Sequence, residues 1–436
     1  MKKVSIINMG CKVNQYESDT IAGILSASGF SVCFGLVPAD IYFVNTCAVT
    51  NEGERKSRNV ITKILKLNPK AEIYVSGCAS ENNAEHFIKI ENVKYVIGTE
   101  NKNRIAYQIC KDNNTKPVLS TEHISNRTRG VLKCQDGCNN FCTYCLIPYV
   151  RGREKSRPLL ELEKELINMQ KSGVKEVVLA GINLSGYGND FGDGTSLLSI
   201  AKLINAINKK TAKSNENDLK NHQNLLRYRF SSLEVNIITD EFLSYLVTDF
   251  AFCPHFHLSM QSGSNNTLKS MNRHYKKEDF LSKVDLIRKY FPLAAITTDV
   301  IVGFPTETEE DFAETVETCK KANFFEMHVF PYSKREGTVA AKMKNVASNI
   351  KDRVWTLKNM SAENHDKFIE RNIKDNPIQT VIIETTNGDY YTAHTPNYIK
   401  CYIPKMSSLK NNDMVSVCLE KLYLDGAKAT INTGNI

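Results

Sequence analysis

Three cysteines in one short segment, Cys138-x-x-x-Cys142-x-x-Cys145, carry the strongest chemical signal in this sequence of 436 residues. Three thiolates on one loop can ligate three irons of a 4Fe–4S cluster and leave the fourth iron open. An open iron can chelate the amino and carboxylate groups of S-adenosylmethionine (SAM), and Tyr144 stands where an aromatic ring can pack beside the SAM adenine. The alternative is a zinc site, for which Cys134 is the available fourth ligand, unless Cys134 is a buried residue on the strand before the loop.

Three further cysteines, Cys11, Cys47 and Cys78, each follow a short apolar run by three or four residues. The runs cover residues 4–7, 41–44 and 73–75, and helix-like stretches follow them at 15–28, 52–67 and after residue 82. Strands that alternate with helices predict an open parallel α/β sheet, and the C-terminal ends of such strands share one edge. We therefore expect these three cysteines to meet. The alternative is that these cysteines are only small apolar residues that follow a strand by chance. Chance explains one such position more easily than all three.

The bulk composition narrows the cellular setting. The chain contains 13 cysteines, carries a formal net charge of +8 and is 42% hydrophobic, which allows sizeable cores and weakly favours a polyanionic partner. Its N-terminus, MKKVSIINMGCK, lacks the apolar run of a secretory signal, and no apolar stretch approaches the roughly 18 residues of a membrane span. We therefore expect a cytoplasmic protein without membrane association, whose clustered cysteines bind metal or do chemistry.

A second, longer series of strands and helices is predicted between residues 130 and 333. Six such units, with helical stretches such as 158–172 and 308–321 between them, predict an incomplete (β/α)6 barrel whose chemistry lies at the C-terminal strand ends. Residues 209–224, almost devoid of apolar side chains, are expected to form a solvated insertion. The six strands are expected at residues 131–134, 176–180, 227–231, 256–259, 295–302 and 325–329.

The pattern changes after a predicted helical connection at residues 349–372. Five short β-rich runs broken by Gly, Asn and Asp predict a small β-barrel, a shape often used to hold nucleic acid. We expect three domains, at residues 1–115, 124–348 and 373–436. The five runs cover residues 380–384, 390–393, 399–403, 414–419 and 427–431.

A set of motifs in a fixed order along nearly the whole chain resembles the radical SAM methylthiotransferase family, and within it the branch called MtaB. The motifs are MGCKVNQYES (9–18), NTCAVT (45–50), SGC (76–78), QDGCNNFCTYC (135–145), IPY (147–149), HLSMQSGS (257–264), TDVIVGFP (298–305) and HVFPYSKR (328–335). The C-terminal module resembles a TRAM domain, an RNA-binding barrel, best at residues 391–398 (YTAHTPNY). One departure is Thr306, where the family usually has glycine, but it removes no ligand.

The resemblance implies two 4Fe–4S clusters. Cys138, Cys142 and Cys145 would hold the radical-generating cluster, and Cys11, Cys47 and Cys78 would hold an auxiliary cluster with one iron open for a sulfur species. The family chemistry consumes two SAM molecules, one as the methyl donor to sulfur and one as the source of a radical that abstracts hydrogen from C2 of an adenine. An unactivated aromatic C–H bond requires such cofactor chemistry, because ordinary acid–base catalysis does not reach it.

The segments RFSSLE (229–234), KVNQYES (12–18) and SKREGT (333–338) favour the MtaB branch, for which the implied substrate is N6-threonylcarbamoyladenosine at position 37 of tRNA. The alternatives are the MiaB branch, which acts on isopentenylated adenosine, the RimO branch, which acts on a ribosomal-protein aspartate, and a non-catalytic RNA-binding protein stabilised by zinc. The implied partners are the tRNA anticodon loop, an electron donor such as flavodoxin or ferredoxin, and a sulfur donor. The chain is expected to be a monomer.

Several polar and aromatic residues are expected to contact SAM or the substrate, and each also has a simpler explanation. Four residues beyond barrel strands are expected to contact SAM, or else to cap neighbouring elements. Arg151 and Arg153, behind the cluster loop, are expected to bind phosphates, unless they belong to a solvated basic loop. Tyr398 is expected to stack on a base, unless it is a core residue. Lys334 and Arg335 are expected to bind the threonylcarbamoyl carboxylate, unless they form a surface salt bridge. The four residues expected to contact SAM are Asn183, Ser232, Glu234 and Gln261.

Overall fold

The N-terminal part of the chain folds into a five-stranded parallel sheet. In the computed structural model, which describes residues 1–120, 127–214 and 225–432, the strand order is β2-β1-β3-β4-β5. The three predicted strands are confirmed as the centre of this sheet, and β3 is fully buried. The two outer strands were not predicted, because they are short and only half-buried. The strands are β1 (Lys3–Asn8), β2 (Ser31–Phe34), β3 (Ile41–Thr46), β4 (Glu72–Gly77) and β5 (Val93–Val96).

Helices follow the central strands directly. Helix α1 begins immediately after Cys11, and α2 begins after Thr50, whose side chain accepts a hydrogen bond from the Gly53 amide and so caps the helix. Helix α3 begins at Cys78 itself. The N-terminal helices are α1 (Lys12–Ala27), α2 (Asn51–Leu67), α3 (Cys78–Asn82), α4 (Glu85–Ile88) and α5 (Arg104–Asp112).

The middle of the chain contains the six predicted parallel strands, arranged as two three-stranded sheets, β10-β9-β6 and β11-β12-β13. Isolated bridges, Tyr228 to Phe252 and Leu233 to Leu258, join the two sheets into one curved wall. The incomplete barrel is therefore confirmed. The strands are β6 (Gly130–Lys133), β9 (Glu176–Ala180), β10 (Arg227–Phe230), β11 (His255–Gln261), β12 (Ala295–Val302) and β13 (Glu326–Pro331), with a small pair formed by β7 (Gln135–Asp136) and β8 (Lys155–Ser156).

Helices cover the outside of this wall and share one large apolar core with it. The predicted insertion at residues 209–224 is partly wrong, because α8 continues to Ser214 and buries Ala212; residues 215–224 lie outside the described part of the chain. The helices are α6 (Ile147–Val150), α7 (Leu159–Lys171), α8 (Leu197–Ser214), α9 (Asp240–Thr248), α10 (Asn265–Ser270), α11 (Lys277–Tyr290) and α12 (Glu309–Ala322).

A long helix leads to the C-terminal module, which is a closed five-stranded barrel, as predicted. The helix is α13 (Ile350–Asp375), and the barrel order is β14-β15-β16-β18-β17. None of the described helices has the length and apolar character needed to cross a membrane. The barrel strands are β14 (Ile378–Asn387), β15 (Tyr390–His394), β16 (Lys400–Pro404), β17 (Met414–Tyr423) and β18 (Gly426–Ile431).

Candidate functional site

Cys11, Cys47 and Cys78 lie at one edge of the N-terminal sheet, as the strand-end argument predicted. They follow β1, β3 and β4, which are consecutive neighbours in the sheet and run parallel. The three thiols are close enough to interact electrostatically with one another. Three thiolates that converge from separate strands are a donor set suited to an iron–sulfur cluster with one iron left open.

Gly77 allows two of these cysteines to come together. It pairs with Thr46 across β3 and β4, one residue before Cys47 and Cys78, and its φ is +120°. A Cβ atom at Gly77 would overlap the backbone carbonyl oxygen of Thr46. The close approach of the two strand ends therefore depends on glycine both for its backbone conformation and for its lack of a side chain.

The Cys138–Cys145 loop is held by two hydrogen bonds from Thr143 to the C-terminal end of α10. The amide of Thr143 donates to the Met271 carbonyl at 3.0 Å and its hydroxyl donates to the Ser270 carbonyl at 2.8 Å. The three thiols of the loop interact electrostatically, and burial raises the pKa of Cys138 to about 11 and of Cys145 to about 12. The free thiols of Cys138 and Cys145 therefore keep their protons at neutral pH, and ligation of iron must release them.

The zinc alternative required Cys134 as a fourth ligand. The side chain of Cys134 is fully buried in the core of the incomplete barrel, and its sulfur contacts the Leu132 carbonyl at 3.5 Å. Its position fits the second interpretation, a packed residue on the strand that leads to the loop. Among the described residues, no three His, Cys, Asp or Glu side chains are grouped closely enough to share a single metal ion.

A pocket of about 260 Å³ lies beside the cluster loop and contains two of the four residues predicted to contact SAM. Asn183 and Glu234 line it, together with Asn140 and Arg273. Ser232 is exposed and Gln261 is half-buried at the end of β11, and neither is among the residues that line this pocket. Tyr144 packs near Met271, Phe304 and Ala340 in a small apolar cluster.

Arg273 is a functional candidate that sequence reasoning missed. Its Nη1 donates to the sulfur of Cys142 at 3.4 Å, and its Nη2 pairs with Glu234 and donates to the Ser259 carbonyl at 3.0 Å. The guanidinium thus connects a cluster cysteine to a carboxylate in the pocket. No periodicity or motif in the sequence places this arginine near the loop, because it approaches from the turn after α10.

The prediction that Arg151 grips phosphates does not fit its position, because its side chain is entirely buried. Its Nε donates to the sulfur of Cys78 at 3.3 Å, and its Nη1 pairs with Glu17 at 2.7 Å and with Asp136 at 3.1 Å. Asp136 lies two residues before Cys138, so this one guanidinium joins the two cysteine sites. Arg153, in contrast, is exposed and stacks over the Phe141 ring at 4.3 Å, where solvent and ligands can reach it.

Lys334 and Arg335, predicted to act together, lie in different surroundings. Lys334 is exposed, whereas the Arg335 side chain is 4% exposed and pairs with Glu54 at 2.9 Å and with Asn51. Because its charge is already matched inside the protein, Arg335 does not stand free for a substrate carboxylate. It lies instead near Cys47, whose pKa it lowers against the larger effect of burial.

Tyr398 is not an open stacking platform. Its ring lies parallel to that of His255, with centroids 4.7 Å apart, and the guanidinium groups of Arg229 and Arg129 stand 4.8 Å and 5.2 Å from it. The ring therefore joins the C-terminal barrel to the incomplete barrel. The prediction that Tyr398 stacks on a base does not fit, because protein groups already occupy its surroundings.

A larger cavity, of about 460 Å³, lies where the three parts of the chain meet. We call it the junction cavity. Cys11 and Lys12 line it from the N-terminal sheet, Arg129 and Arg229 from the incomplete barrel, and Tyr398 from the C-terminal barrel. It contains polar and cationic side chains next to one cysteine of the N-terminal trio, and sequence reasoning did not foresee it because its wall comes from distant segments.

Comparisons with known proteins agree with this arrangement. Residues 3–98 match the uncharacterized protein family UPF0004, and residues 132–319 match the radical SAM superfamily. The chain is 35% identical over 420 residues to threonylcarbamoyladenosine tRNA methylthiotransferase MtaB of Bacillus subtilis. This alignment covers 92% of this chain and 90% of that protein. The chain belongs to the radical SAM methylthiotransferase family.

Other methylthiotransferases are similarly close. The MtaB protein of Chlamydia pneumoniae is 33% identical over 97% of this chain and 96% of its own length. A tRNA-2-methylthio-N(6)-dimethylallyladenosine synthase of Thermotoga petrophila is 32% identical over 90% of this chain and 89% of its own length. Among solved structures, the radical SAM methyltransferase TsrM of Kitasatospora setae shares the fold, with a TM-score of 0.52 and 15% identity over 76% of this chain and 75% of its own.

Proposed function

We propose that this methylthiotransferase converts N6-threonylcarbamoyladenosine at position 37 of tRNA, beside the anticodon, into its 2-methylthio derivative. The named relatives support tRNA as the substrate but do not separate the two adenosine modifications, since both kinds of name occur at 32–36% identity. The observation that carries the choice is the chemistry of the junction cavity. An isopentenyl group offers only hydrocarbon, which would leave the buried guanidinium of Arg229 in this cavity without a partner for its Nη atoms.

The two cysteine trios would divide the work. Cys138, Cys142 and Cys145 would hold the 4Fe–4S cluster that binds SAM, and Cys11, Cys47 and Cys78 would hold the auxiliary cluster. When bound, these groups supply the radical and the sulfur chemistry that side chains cannot provide. Both trios consist of converging thiols with arginine N–H groups against their sulfurs, which is the surrounding that a negatively charged cluster requires.

The chain's own residues would position the reactants. Arg273 and Glu234 form one wall of the pocket beside the SAM-binding trio, and Asn183 is fixed there by its hydrogen bond to Glu154 at 2.7 Å. Arg151 contacts both Cys78 and Asp136, and would so help to fix the position of one group of three cysteines relative to the other. Arg153, which is exposed close behind the Cys138–Cys145 loop, would contact a phosphate of the anticodon loop.

Cysteine variants test the division of work. Cys138→Ala, Cys142→Ala or Cys145→Ala should abolish SAM cleavage, because two thiolates do not hold the cluster with an open iron. Cys11→Ala, Cys47→Ala or Cys78→Ala should still release 5′-deoxyadenosine from SAM but make no methylthiolated nucleoside. Buried Cys134→Ala serves as the control, since its thiol lies in the core. Normal product from the second group would show that the N-terminal trio is structural.

Metal content separates the enzyme from a zinc-stabilised RNA-binding protein. Anaerobically purified protein should be brown and contain roughly eight irons per chain, as two 4Fe–4S clusters require. A colourless protein that contains zinc would refute the proposal. Mass spectrometry of tRNA nucleosides from cells with and without the gene then tests the modification itself.

A further inference from the structure

Arg229, in the wall of the junction cavity, has buried nitrogen atoms without hydrogen-bond partners among the described residues. The residue is 1% exposed, and its Nε donates to Glu176 at 2.6 Å. Its Nη1 and Nη2 are buried and have no hydrogen-bond partner among the described residues. A buried guanidinium with two unpaired nitrogens is costly, so a group that pairs with them is expected.

The charge around this arginine is not balanced. Glu176 is shared between Arg227 and Arg229, each at 2.6 Å, and lies 3.9 Å from Arg129. Lys12 lines the same cavity. It lies close enough to Arg229, Arg129 and Glu176 to interact electrostatically with their charges.

Arg129 also pairs with Glu384 at 3.2 Å. The lining of the cavity contains four cationic side chains and one carboxylate, which are Lys12, Arg127, Arg129, Arg229 and Glu384. Glu176, which pairs with Arg229, is shared with Arg227 and does not remove the resulting excess of positive charge. An anionic ligand in the cavity would remove this excess.

The guanidinium of Arg229 is already oriented. The bond from Nε to Glu176 and the stacking of the group 4.8 Å from the Tyr398 ring centroid restrict its plane, while the two Nη atoms stay unused. Two parallel N–H groups on a fixed plane match the two oxygens of a carboxylate. The residues that line the cavity also include the polar Thr128 and Asn8 and the apolar Val131.

We propose that Arg229, flanked by Lys12 and Arg129, binds the carboxylate of the threonylcarbamoyl group. This inference rests on the proposed function and names the residues that would recognise its substrate. The rest of the group, which has a hydroxyl, a urea-like linkage and a methyl, would contact the polar and apolar parts of the same wall. The side chains predicted from sequence for this role, Lys334 and Arg335, do not line the cavity.

The test uses binding rather than turnover. The probes are two anticodon stem-loop RNAs with threonylcarbamoyladenosine at position 37, one with the free carboxylate and one with its methyl ester. Their dissociation constants are measured by fluorescence anisotropy with the anaerobic holoprotein. We expect the wild-type protein to bind the carboxylate about 10–100 times more tightly than the ester, as a lost charge-assisted hydrogen bond predicts. Arg229→Gln should reduce this ratio towards one.

Arg227→Gln is the matched control. Arg227 pairs with the same Glu176, but its other nitrogens donate to the Thr380 and His394 carbonyls, and it does not line the cavity. Its substitution should leave the ratio unchanged. Lys12→Gln is the second test variant, with a smaller expected loss, and it decides the matter if Arg229→Gln does not fold, as judged by iron content.

Two results would overturn the inference: a wild-type ratio near one, or a wild-type ratio retained in both Arg229→Gln and Lys12→Gln. If the holoenzyme still methylthiolates the carboxylate stem-loop in that case, the inference fails and the proposed function stands. If it neither binds nor modifies this stem-loop better than one with unmodified adenosine, the proposed function itself fails.

Discussion

Glu176 is one buried carboxylate that interacts with three arginines. Burial alone would raise its pKa, but the positive charges of Arg229, Arg227 and Arg129 outweigh burial and hold the pKa of this carboxyl well below its usual 4.5. A carboxyl whose pKa is lower in the folded state adds stability at pH values above 4.5, and this stability is lost as the pH falls towards the folded-state pKa.

The free energy of unfolding should therefore fall steeply below pH 4.5 in the wild-type protein and less steeply in Glu176→Gln. At neutral pH the variant should be less stable by about 3 kcal/mol, because it leaves the buried guanidinium of Arg229 and the half-buried one of Arg227 without their carboxylate. Urea denaturation from pH 7 to pH 3 measures both effects. Parallel pH profiles for the two proteins would contradict the role given to Glu176.

At the scale of elements, the ends of β3 and β4 bring two cysteines together through Gly77. Gly77→Ala should force these strand ends apart, and iron content should fall from roughly eight towards four per chain as the N-terminal trio is lost. Gly29→Ala is the matched control, because Gly29 also has a positive φ, +90°, but a Cβ there meets nothing within 4 Å. It should cost about 1–2 kcal/mol of stability and no iron.

Iron analysis and the visible spectrum of both variants, purified anaerobically, measure this difference. Equal iron in Gly77→Ala and the wild-type protein would show that the strand ends do not control the site.

The elements themselves were largely predictable from the sequence. Central strands such as β3 and β9 contain apolar runs of four residues and are fully buried, and the spacing of the cysteines identifies the loop with Cys138. Edge strand β2 was missed although Val32, Cys33 and Phe34 are apolar, because the strand has only four residues and all of them are half-buried. The end of α8 was placed too early, because its last turns are mostly polar and packing of Ala212 rather than composition extends the helix.

At the scale of the whole molecule, Tyr398 and Asn397 fasten the C-terminal barrel to the rest. Asn397 donates to the Leu293 carbonyl at 2.9 Å and to Asn372 at 2.8 Å, while Tyr398 stacks on His255. Tyr398→Ala should lower stability by about 2 kcal/mol and loosen the barrel, because it removes a packed aromatic pair. Tyr398→Phe keeps the ring and is the control.

Thermal unfolding and limited proteolysis measure this attachment. Tyr398→Ala should be cut faster than Tyr398→Phe in the segment between α13 and β14. Equal cleavage rates for the two variants would show that the ring does not hold the barrel in place.

The parts that the sequence did not reveal are those made by several distant segments. The junction cavity combines loops after β1, strands of the incomplete barrel and turns of the C-terminal barrel. Arg151, Arg335 and Tyr398 were each interpreted as substrate contacts, because a basic or aromatic residue near a site is expected to face the ligand. Their burial and partners depend on tertiary packing, which spacing along the chain does not encode.

The most direct test of the central claim is C2 methylthiolation by the reconstituted enzyme of two tRNAs, one with threonylcarbamoyladenosine and one with isopentenyladenosine at position 37. Nucleosides are quantified by mass spectrometry after equal times with SAM and reductant. The account predicts 2-methylthio-threonylcarbamoyladenosine as the main product, because only that substrate carries a carboxylate for the cationic junction cavity. Equal or greater methylthiolation of the isopentenylated tRNA would contradict the account.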